Sequence, residues 1–522
     1  MLIAVGAADC VGVNYLFTVI TKNLTITLGC FHRPPFYLFS VFMQVQNCYT
    51  SRQKSETLME EKKFDVIIIG SGPGGYPAAI KLAQNGKKVA LVEAQELGGT
   101  CLNRGCIPTK ALIANAEVLS HIRKAKDFGI QVDGVKVNFD SMQKTKDATV
   151  NNLRKSLEGL ILANEITILK GWAKFISANK VEVAGVCVAS APNIIIASGS
   201  EPKEIPAFAF DGNAIHSSTT ILQLDKLPET MAVVGGGVIG CEFASLYSEL
   251  GVKVVVIEML DRIIPLESPA LSQGLTKAFK ARGIEIQTGV AVQSIKKNAN
   301  GVLITLADKK EIAASCALIA IGRSLNSDKL GLEKAGVKVE KGAIVVDESM
   351  KTSVPGIWAI GDVTGKSLYA HVATHQGLVA ANNILGHKEQ MNYDAVPGVI
   401  FTLPEIGSCG MTLEDAKKRG FQAKLTAYPF QALGKAQAAH QTEGFAQVVV
   451  DEKTGQILGG QVLGHEAGIL LAPIAYAIAN ELTIECITDT IHAHPTLSEV
   501  WMEAAFLAQG MPLHYPPIPR KK

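Results

Sequence analysis

The sequence is poor in aromatics, 6% of 522 residues, and has no dominant charge. Lys and Arg number 50 against 48 Asp and Glu, a net charge of +2. Residues 1–58 hold four cations and two acids, so they carry all of that excess. The remaining chain is balanced, and no basic field exists to hold a polyanion, so nucleic acid is excluded as an expected partner. Long apolar runs are also missing. The longest uncharged stretch of the extension, Pro34 to Ser51, opens with two prolines and ends in polar residues. It falls short of the ~20 apolar residues of a membrane-spanning helix. A basic segment before the first apolar run, which a secretory signal needs, is absent too. Ten cysteines are too sparse for a disulfide scaffold. No paired C-x-x-C sets point to zinc, so no metal is expected.

Glycine is plentiful, 48 residues, and its placement is informative. Phe64–Ile69 is a short apolar run, the pattern of a buried parallel strand. It enters Gly70-Ser71-Gly72-Pro73-Gly74-Gly75, then a helical stretch closed by Gly86, then a second strand ending in Glu93. The glycines at Gly70, Gly72, Gly74 and Gly75 allow a tight turn and bring a pyrophosphate close to backbone N–H groups at a helix N-terminus. Glu93 stands where an acid accepts hydrogen bonds from ribose hydroxyls. The unit recurs 165 residues later. Met231–Val234 leads into Gly235, Gly237 and Gly240, a helix closes at Gly251, and Val252–Ile257 ends in Glu258. In both copies the acid follows the first glycine by 23 residues. Two copies of strand, turn, helix, strand and acid predict two dinucleotide sites. Glu258 favours a free 2′-hydroxyl, hence NAD, although Arg262 lies four residues on.

Directly after the first unit comes Gly98-Gly99-Thr100-Cys101-Leu102-Asn103-Arg104-Gly105-Cys106-Ile107-Pro108-Thr109-Lys110. Four residues separate the two thiols, close enough for a disulfide if the backbone is helical or turned. A thiol at a helix start near Arg104 and Lys110 has a depressed pKa. Beside a dinucleotide fingerprint, a redox pair takes precedence over two structural thiols.

These motifs resemble those of the pyridine nucleotide–disulfide oxidoreductases, FAD-containing dimers, and the likeness covers residues 62 to 515. Ile194–Ser200, Ala320-Ile321-Gly322-Arg323 and Val354–Val363 reinforce it. The resemblance implies that Gly70–Gly75, Glu93, Lys110, Gly199 and Asp362 line FAD. It implies that Gly235–Gly240, Glu258 and Gly322 line NAD, and that Glu242 meets Lys110 beside the flavin. Ile491-His492-Ala493-His494-Pro495-Thr496-Leu497-Ser498-Glu499 is most similar to the members that oxidise protein-bound dihydrolipoyl groups with NAD. There His494 is the acid/base and Glu499 orients its imidazole, in keeping with the pH range of histidine. With Cys101 and Cys106 these four form the expected catalytic set. The implied partners are a second copy of the chain and the lipoyl domains of 2-oxo acid dehydrogenase complexes or the glycine cleavage system. The alternatives are another disulfide reductase of the family and a non-catalytic assembly subunit on the same fold.

The expected fold class is α/β, with two Rossmann-like domains and a C-terminal α+β dimerisation domain. Residues 1–58 read as an extension that is disordered or outside the working protein. Residues 59–205 form the first part of the FAD domain, with an irregular β stretch around Trp172–Val188. Residues 206–325 form the NAD domain, 326–392 return to the FAD domain, and 393–522 form the dimerisation domain, with the run Ile469–Ile478 at its interface. The expected location is the cytoplasm, or the mitochondrial matrix if residues 1–58 are a transit peptide.

Overall fold

The computed structural model describes residues 60–516, and in the extension the backbone of three strands. Leu2–Gly6, Tyr15–Thr21 and Leu24–Phe31 pair as an antiparallel sheet within the extension that the sequence reads as disordered or outside the working protein. The remainder of 1–59 lies outside the described residues. Chain contacts separate Met1–Glu60 from the body Glu61–Lys522.

The body contains three five-stranded sheets, and the first two are duplicates. In the first, the strands run in the order Ile357–Ala359, Asn193–Ile196, Val66–Ile69, Val89–Glu93 and Thr167–Lys170, all parallel. In the second the order is Ile215–His216, Cys316–Ile319, Thr230–Val234, Lys253–Ile257 and Glu285–Gln287, again all parallel. A sheet covered on both faces needs apolar residues at successive positions, and Val66, Ile67 and Ile68 are fully buried. Each such side chain contributes about 1.5–3 kcal/mol when buried.

The duplication extends to the insertions. Between the fifth and second strands of the first sheet lies an antiparallel meander, Ala173–Ser177, Lys180–Val183 and Cys187–Ser190. At the same place in the second copy lies Val292–Asn298, Gly301–Leu306 and Glu311–Ala314. The β stretch expected around Trp172–Val188 is this meander, with a register shift between Phe175 and Ser177, and inward side chains such as Phe175 and Val181 are fully buried. The copies differ at one edge. The second sheet takes its edge strand from the chain just before it, and the first takes Ile357–Ala359 from the chain that returns after the whole second unit. A two-stranded ribbon, Ser200–Pro202 against Arg323–Leu325, lies where the chain enters and leaves the second unit.

The third sheet is antiparallel, in the order Gly398–Ile400, Glu405–Gly410, Ile457–Gly464, Phe445–Asp451 and Ala423–Pro429. Helices Ala467–Ala479 and Glu499–Ala508 pack on it. The run Ile469–Ile478 divides between two environments. Leu470, Leu471, Ile474 and Ala477 are buried against the sheet, while Ile469 and Tyr476 stay 70% and 72% exposed. Helical periodicity gives one face to the domain's own core and leaves only the other for an interface.

Close backbone approach fixes both glycine turns. Gly70 and Gly235 have φ of +103° and +105°. A Cβ on Gly75 would stand 1.9 Å from the Gly70 carbonyl oxygen, and one on Gly240 would stand 1.9 Å from that of Gly235. Gly75→Ala is therefore expected to destabilise the first unit by roughly 2–4 kcal/mol through overpacking. Gly86 has φ +76° but open space around a Cβ, so Gly86→Ala should cost only about 1 kcal/mol. Thermal melts of the two variants check this; equal losses would contradict the packing argument.

Candidate active site

One cavity of about 1520 Å³ joins the two glycine turns, Glu93, Glu258, both cysteines, Lys110 and Asp362. It exceeds the ~300–1,000 Å³ of an ordinary small-molecule pocket. At its two ends the acids act alike. Glu93 accepts from the Ser71 backbone N–H at 3.0 Å and from the Ser71 hydroxyl. Glu258 accepts from the Gly236 N–H at 2.7 Å and the Leu260 N–H at 2.8 Å. Each acid braces the residue after its first glycine, which fixes the turn at the helix N-terminus. A Cβ on Gly237 would meet nothing within 4 Å, so the backbone leaves open space where a pyrophosphate is held by helix N–H groups. This geometry fits a dinucleotide at each end. Arg262 gives its guanidinium to the Pro265 carbonyl at 3.0 Å and is not among the cavity-lining residues. Arg262 is therefore engaged outside the cavity that buried Glu258 lines.

The thiols lie between the two turns. Cys101 is in the helix Gly99–Arg104, and Cys106 is the first residue of the helix Cys106–Lys124. Gly105 breaks the helix between them, at φ −142° and ψ −113°. Both cysteines are free thiols that line the cavity. The Cys101 thiol donates to the Cys106 sulfur, the largest of the effects that hold the Cys106 pKa down to about 7; burial opposes it and the Lys110 cation assists. The same hydrogen bond, together with burial, pushes the Cys101 thiol far up. The pair is thus polarised, with the negative charge on Cys106, at a helix N-terminus that favours it.

Lys110 lies one turn beyond Cys106, and its Nζ is 2.9 Å from both oxygens of Glu242. Glu242 is on the helix Val238–Glu249 of the second unit and also accepts from the Phe401 N–H at 3.0 Å. Lys110 Nζ stands 4.4 Å above the Phe401 ring. Helix Cys106–Lys124 is held to this helix a second time by Arg123 and Glu249, 3.0 Å apart.

Asp362 enters the cavity from the turn Gly361–Thr364. Its Oδ2 accepts from the Ser200 hydroxyl, and Arg323 donates to the Ser200 Oγ and carbonyl at 2.6 Å each. Gly199 and Gly322 line the same wall, with φ of +72° and +115°. A partly buried carboxylate that lines the cavity suits a polyol chain. Ser200, Arg323 and Phe401 were not singled out as site residues in the sequence. Arg323 stands in the motif beside Gly322, but only the fold joins it to Ser200. Phe401 carries no local signal.

His494 is outside this group. It does not line its own chain's cavity, and its side chain is 75% exposed. Its Nδ1 lies 2.8 Å from Glu499 Oε1, and Glu499 Oε2 accepts from the Thr496 N–H at 2.8 Å. Burial pushes the Glu499 carboxyl up, but the Thr496 N–H and His494 outweigh it and hold the group below the usual carboxylate range.

Two dinucleotide turns with a polarised dithiol between them define a flavin- and nicotinamide-dependent disulfide oxidoreductase, using FAD and NAD. Residues 64–377 match the pyridine nucleotide-disulphide oxidoreductase model, and residues 396–505 match that family's dimerisation domain. The chain belongs to this family and forms a homodimer through that domain. It is 50% identical to a dihydrolipoyl dehydrogenase of Chlamydia pneumoniae over 87% of this chain and 99% of that one. A dihydrolipoyl dehydrogenase of Geobacillus stearothermophilus is 39% identical over 86% and 97%. Among solved structures, LpdA of Mycobacterium tuberculosis superposes with a TM-score of 0.81 at 28% identity, over 85% of this chain and 99% of that one. The HOCl-induced flavoprotein disulfide reductase RclA of Escherichia coli gives 0.77 at 28% identity, with the same coverage. No helix among the described residues is long and apolar enough to cross a membrane.

The polarised pair predicts a titration. In the reduced protein, thiolate ultraviolet absorbance should rise through pH ~7, well below the ~8.5 of a free cysteine. The step should persist in Cys101→Ser, whose hydroxyl still donates, and vanish in Cys106→Ser. The reverse pattern would exchange the roles of the two sulfurs.

Proposed function

We propose that this chain oxidises protein-bound dihydrolipoyl groups with NAD, through Cys101, Cys106 and a histidine lent by the second subunit. The observation that carries this reading is the dithiol midway between two dinucleotide turns in one cavity, together with a His494–Glu499 pair outside it. The similarity to curated dihydrolipoyl dehydrogenases supports the choice of substrate.

The reaction starts from the Cys101–Cys106 disulfide. One lipoyl thiol loses its proton to Nε2 of the partner's His494, whose Nδ1 faces Glu499, so the far ring nitrogen is free to accept. The lipoyl thiolate attacks the Cys101 sulfur, a mixed disulfide forms, and Cys106 leaves as a thiolate. The second lipoyl thiol gives up its proton and attacks the lipoyl sulfur of that mixed disulfide. The cyclic lipoyl disulfide departs, and Cys101 is left to take a proton. The lipoyl group has lost two electrons and the cysteine pair has gained them. Cys101 keeps its proton readily, because its thiol is the raised member of the pair. Cys106 keeps the charge, stabilised by the helix N-terminus and Lys110. Bound FAD supplies the two-electron relay between the thiols and NAD. Glu93 and Asp362 would hold its ribose and ribityl hydroxyls, and the Gly70–Gly75 turn its pyrophosphate. Glu258 would hold the NAD ribose, and the Gly235–Gly240 turn its pyrophosphate. Glu242 orients Lys110 in the cavity, one helical turn from Cys106.

The lipoyl domains of 2-oxo acid dehydrogenase complexes or of the glycine cleavage system are the proposed protein partners, in the cytoplasm.

NADH formation from dihydrolipoamide tests the reaction. NAD should exceed NADP by at least two orders of magnitude in kcat/KM, because Glu258 repels a 2′-phosphate and Arg262 is engaged with the Pro265 carbonyl. Comparable rates with both would remove this reading of the second turn. Shared sites have a separate test. Cys106→Ser and His494→Ala homodimers should each be inactive, and heterodimers re-formed from them should regain one working site. Verified heterodimers without activity would place His494 in its own subunit's chemistry.

A further inference from the structure

The third sheet carries a polar row between buried apolar neighbours such as Val448 and Val462. Gly398, Ser408, Gln461 and Gln447 stand opposite one another across four adjacent strands. Gln447 and Gln461 are buried. Buried amides cost stability unless they are bonded, and the partner of this row comes from the second dinucleotide unit. The Ser268 hydroxyl, itself buried, donates to Gln461 Oε1 at 2.6 Å, and the Gln447 amide donates to the same oxygen. Next to Ser268, the Glu267 carboxylate accepts from the Ser408 hydroxyl. The first unit reaches the same row. A Cβ on Gly398 would stand 3.0 Å from the Tyr369 hydroxyl and 3.3 Å from Ser408 Oγ, so both hydroxyls converge over Gly398. Tyr369 precedes the helix Ala370–Ile384 and lines the cavity.

Ser268 is tied to the second glycine turn through its own segment. The Ile264 N–H donates to the Gly236 carbonyl at 2.7 Å, and the Glu267 N–H donates to the Ile264 carbonyl at 3.0 Å. The Ser272 hydroxyl donates to the Ile263 carbonyl at 2.8 Å. Gly236 is the residue that Glu258 also braces. Ile264 has φ +42°, a conformation that β-branched residues rarely adopt and that persists only where the surroundings over-determine it. Ile263 and Ile264 are buried. A stiff turn therefore joins Gln461 to Gly236.

The third domain also holds the helix Val238–Glu249, through the bond from Phe401 to Glu242 and through Ser245, whose hydroxyl accepts from the Leu403 N–H at 2.9 Å. That is one attachment, on the helix that leaves the glycine turn. Ser268 and Glu267 supply a second, on the segment bonded to Gly236. A single attachment leaves a unit free to rock about it, and a second removes that freedom. An apolar seam would also exclude water, but a satisfied polar network accepts one register.

We propose that Gln461 is a positioning residue for hydride transfer from NADH to the flavin and its reverse: through Ser268 it holds the second glycine turn in register with the first turn and the dithiol. In that step a hydride with its electron pair leaves NADH, which becomes NAD, and the flavin is reduced. A displacement of ~1 Å in such a step costs on the order of 10²-fold in rate. This deepens the proposed reaction and rests on it for the dihydrolipoamide arm of the test.

The test uses the FAD-loaded dimer as parent, Gln461→Met, Ser268→Ala, their double variant and the milder Ser408→Ala. Ser268 also caps the helix Pro269–Ala281, a role that Gln461→Met leaves intact. Flavin reduction by NADH and by dihydrolipoamide is followed separately by stopped-flow absorbance. The expected result is a loss of about tenfold or more in the NADH arm of both single variants. The dihydrolipoamide arm, whose thiols lie in the first unit, should be unchanged. The double variant should be no slower than the slower single, because both substitutions break one bond. Hydrogen exchange of residues 261–272, measured without NAD, should quicken in the same variants. An unchanged NADH arm in Gln461→Met overturns the proposal. An equal loss in both arms assigns Gln461 to folding alone and overturns it too. If Gln461→Met does not fold, Ser408→Ala decides: a selective loss in the NADH arm supports the proposal, and an unchanged NADH arm overturns it. If dihydrolipoamide fails to reduce the parent while the NADH loss and its non-additivity are found, the positioning stands and the proposed reaction fails.

Discussion

The contact between Lys110 and Glu242 holds the arrangement together. Lys110 follows Cys106 by one helical turn, and Glu242 follows the last glycine of the second unit by two residues. Their ion pair joins the helix that bears the redox thiol to the helix that begins at the second dinucleotide turn. Glu242 is 8% exposed, so loss of the lysine would strand a buried carboxylate, a cost on the order of 3 kcal/mol. The Phe401 N–H supplies a further donor and brings in the third domain. One carboxylate thus fixes three parts of the chain around the cavity.

The polarity of the dithiol follows from this. Neither cysteine is unusual by composition; their difference is positional. Cys106 opens a helix and has a cation one turn away, whereas Cys101 lies within a short helix and donates its proton across the pair. The same constraint leaves Cys101 the protonated member of the pair and Cys106 the one that favours the thiolate. The thiolate charge is set by a helix N-terminus, the hydrogen bond across the pair and the nearby Lys110 cation.

Duplication explains how one chain brings two dinucleotide turns to one cavity. Each copy has the same strand order, the same inserted meander and an acid bonded to the same position of its glycine turn. The first copy is closed by a strand from beyond the second, Ile357–Ala359, so the second copy is inserted within the first. That connection also delivers Asp362 to the cavity just after the closing strand.

Much of this was legible in the sequence, for local reasons. Strand, glycine turn, helix and acid lie within 28 consecutive residues, so periodicity and spacing exposed both units. The two thiols and Lys110 share ten residues, and His494 and Glu499 share six. Their chemistry depends on short-range geometry that the sequence encodes directly. What lay far apart was decided by tertiary structure. Arg323, Ser200 and Asp362 meet only because a ribbon and a returning strand close the first unit. Phe401 reaches Lys110 only through packing between domains. The run Ile469–Ile478 reads as uniformly apolar, and only the sheet beneath it decides which residues are core and which remain exposed. Gln461 has no signal of its own, since a lone strand glutamine is ordinarily solvated; only the fold brings Ser268 to it. Local order fixes which groups are available, because turns and helix starts need particular residues. Long-range packing fixes which of them meet, because burial and charge balance depend on neighbours that spacing along the chain does not reveal.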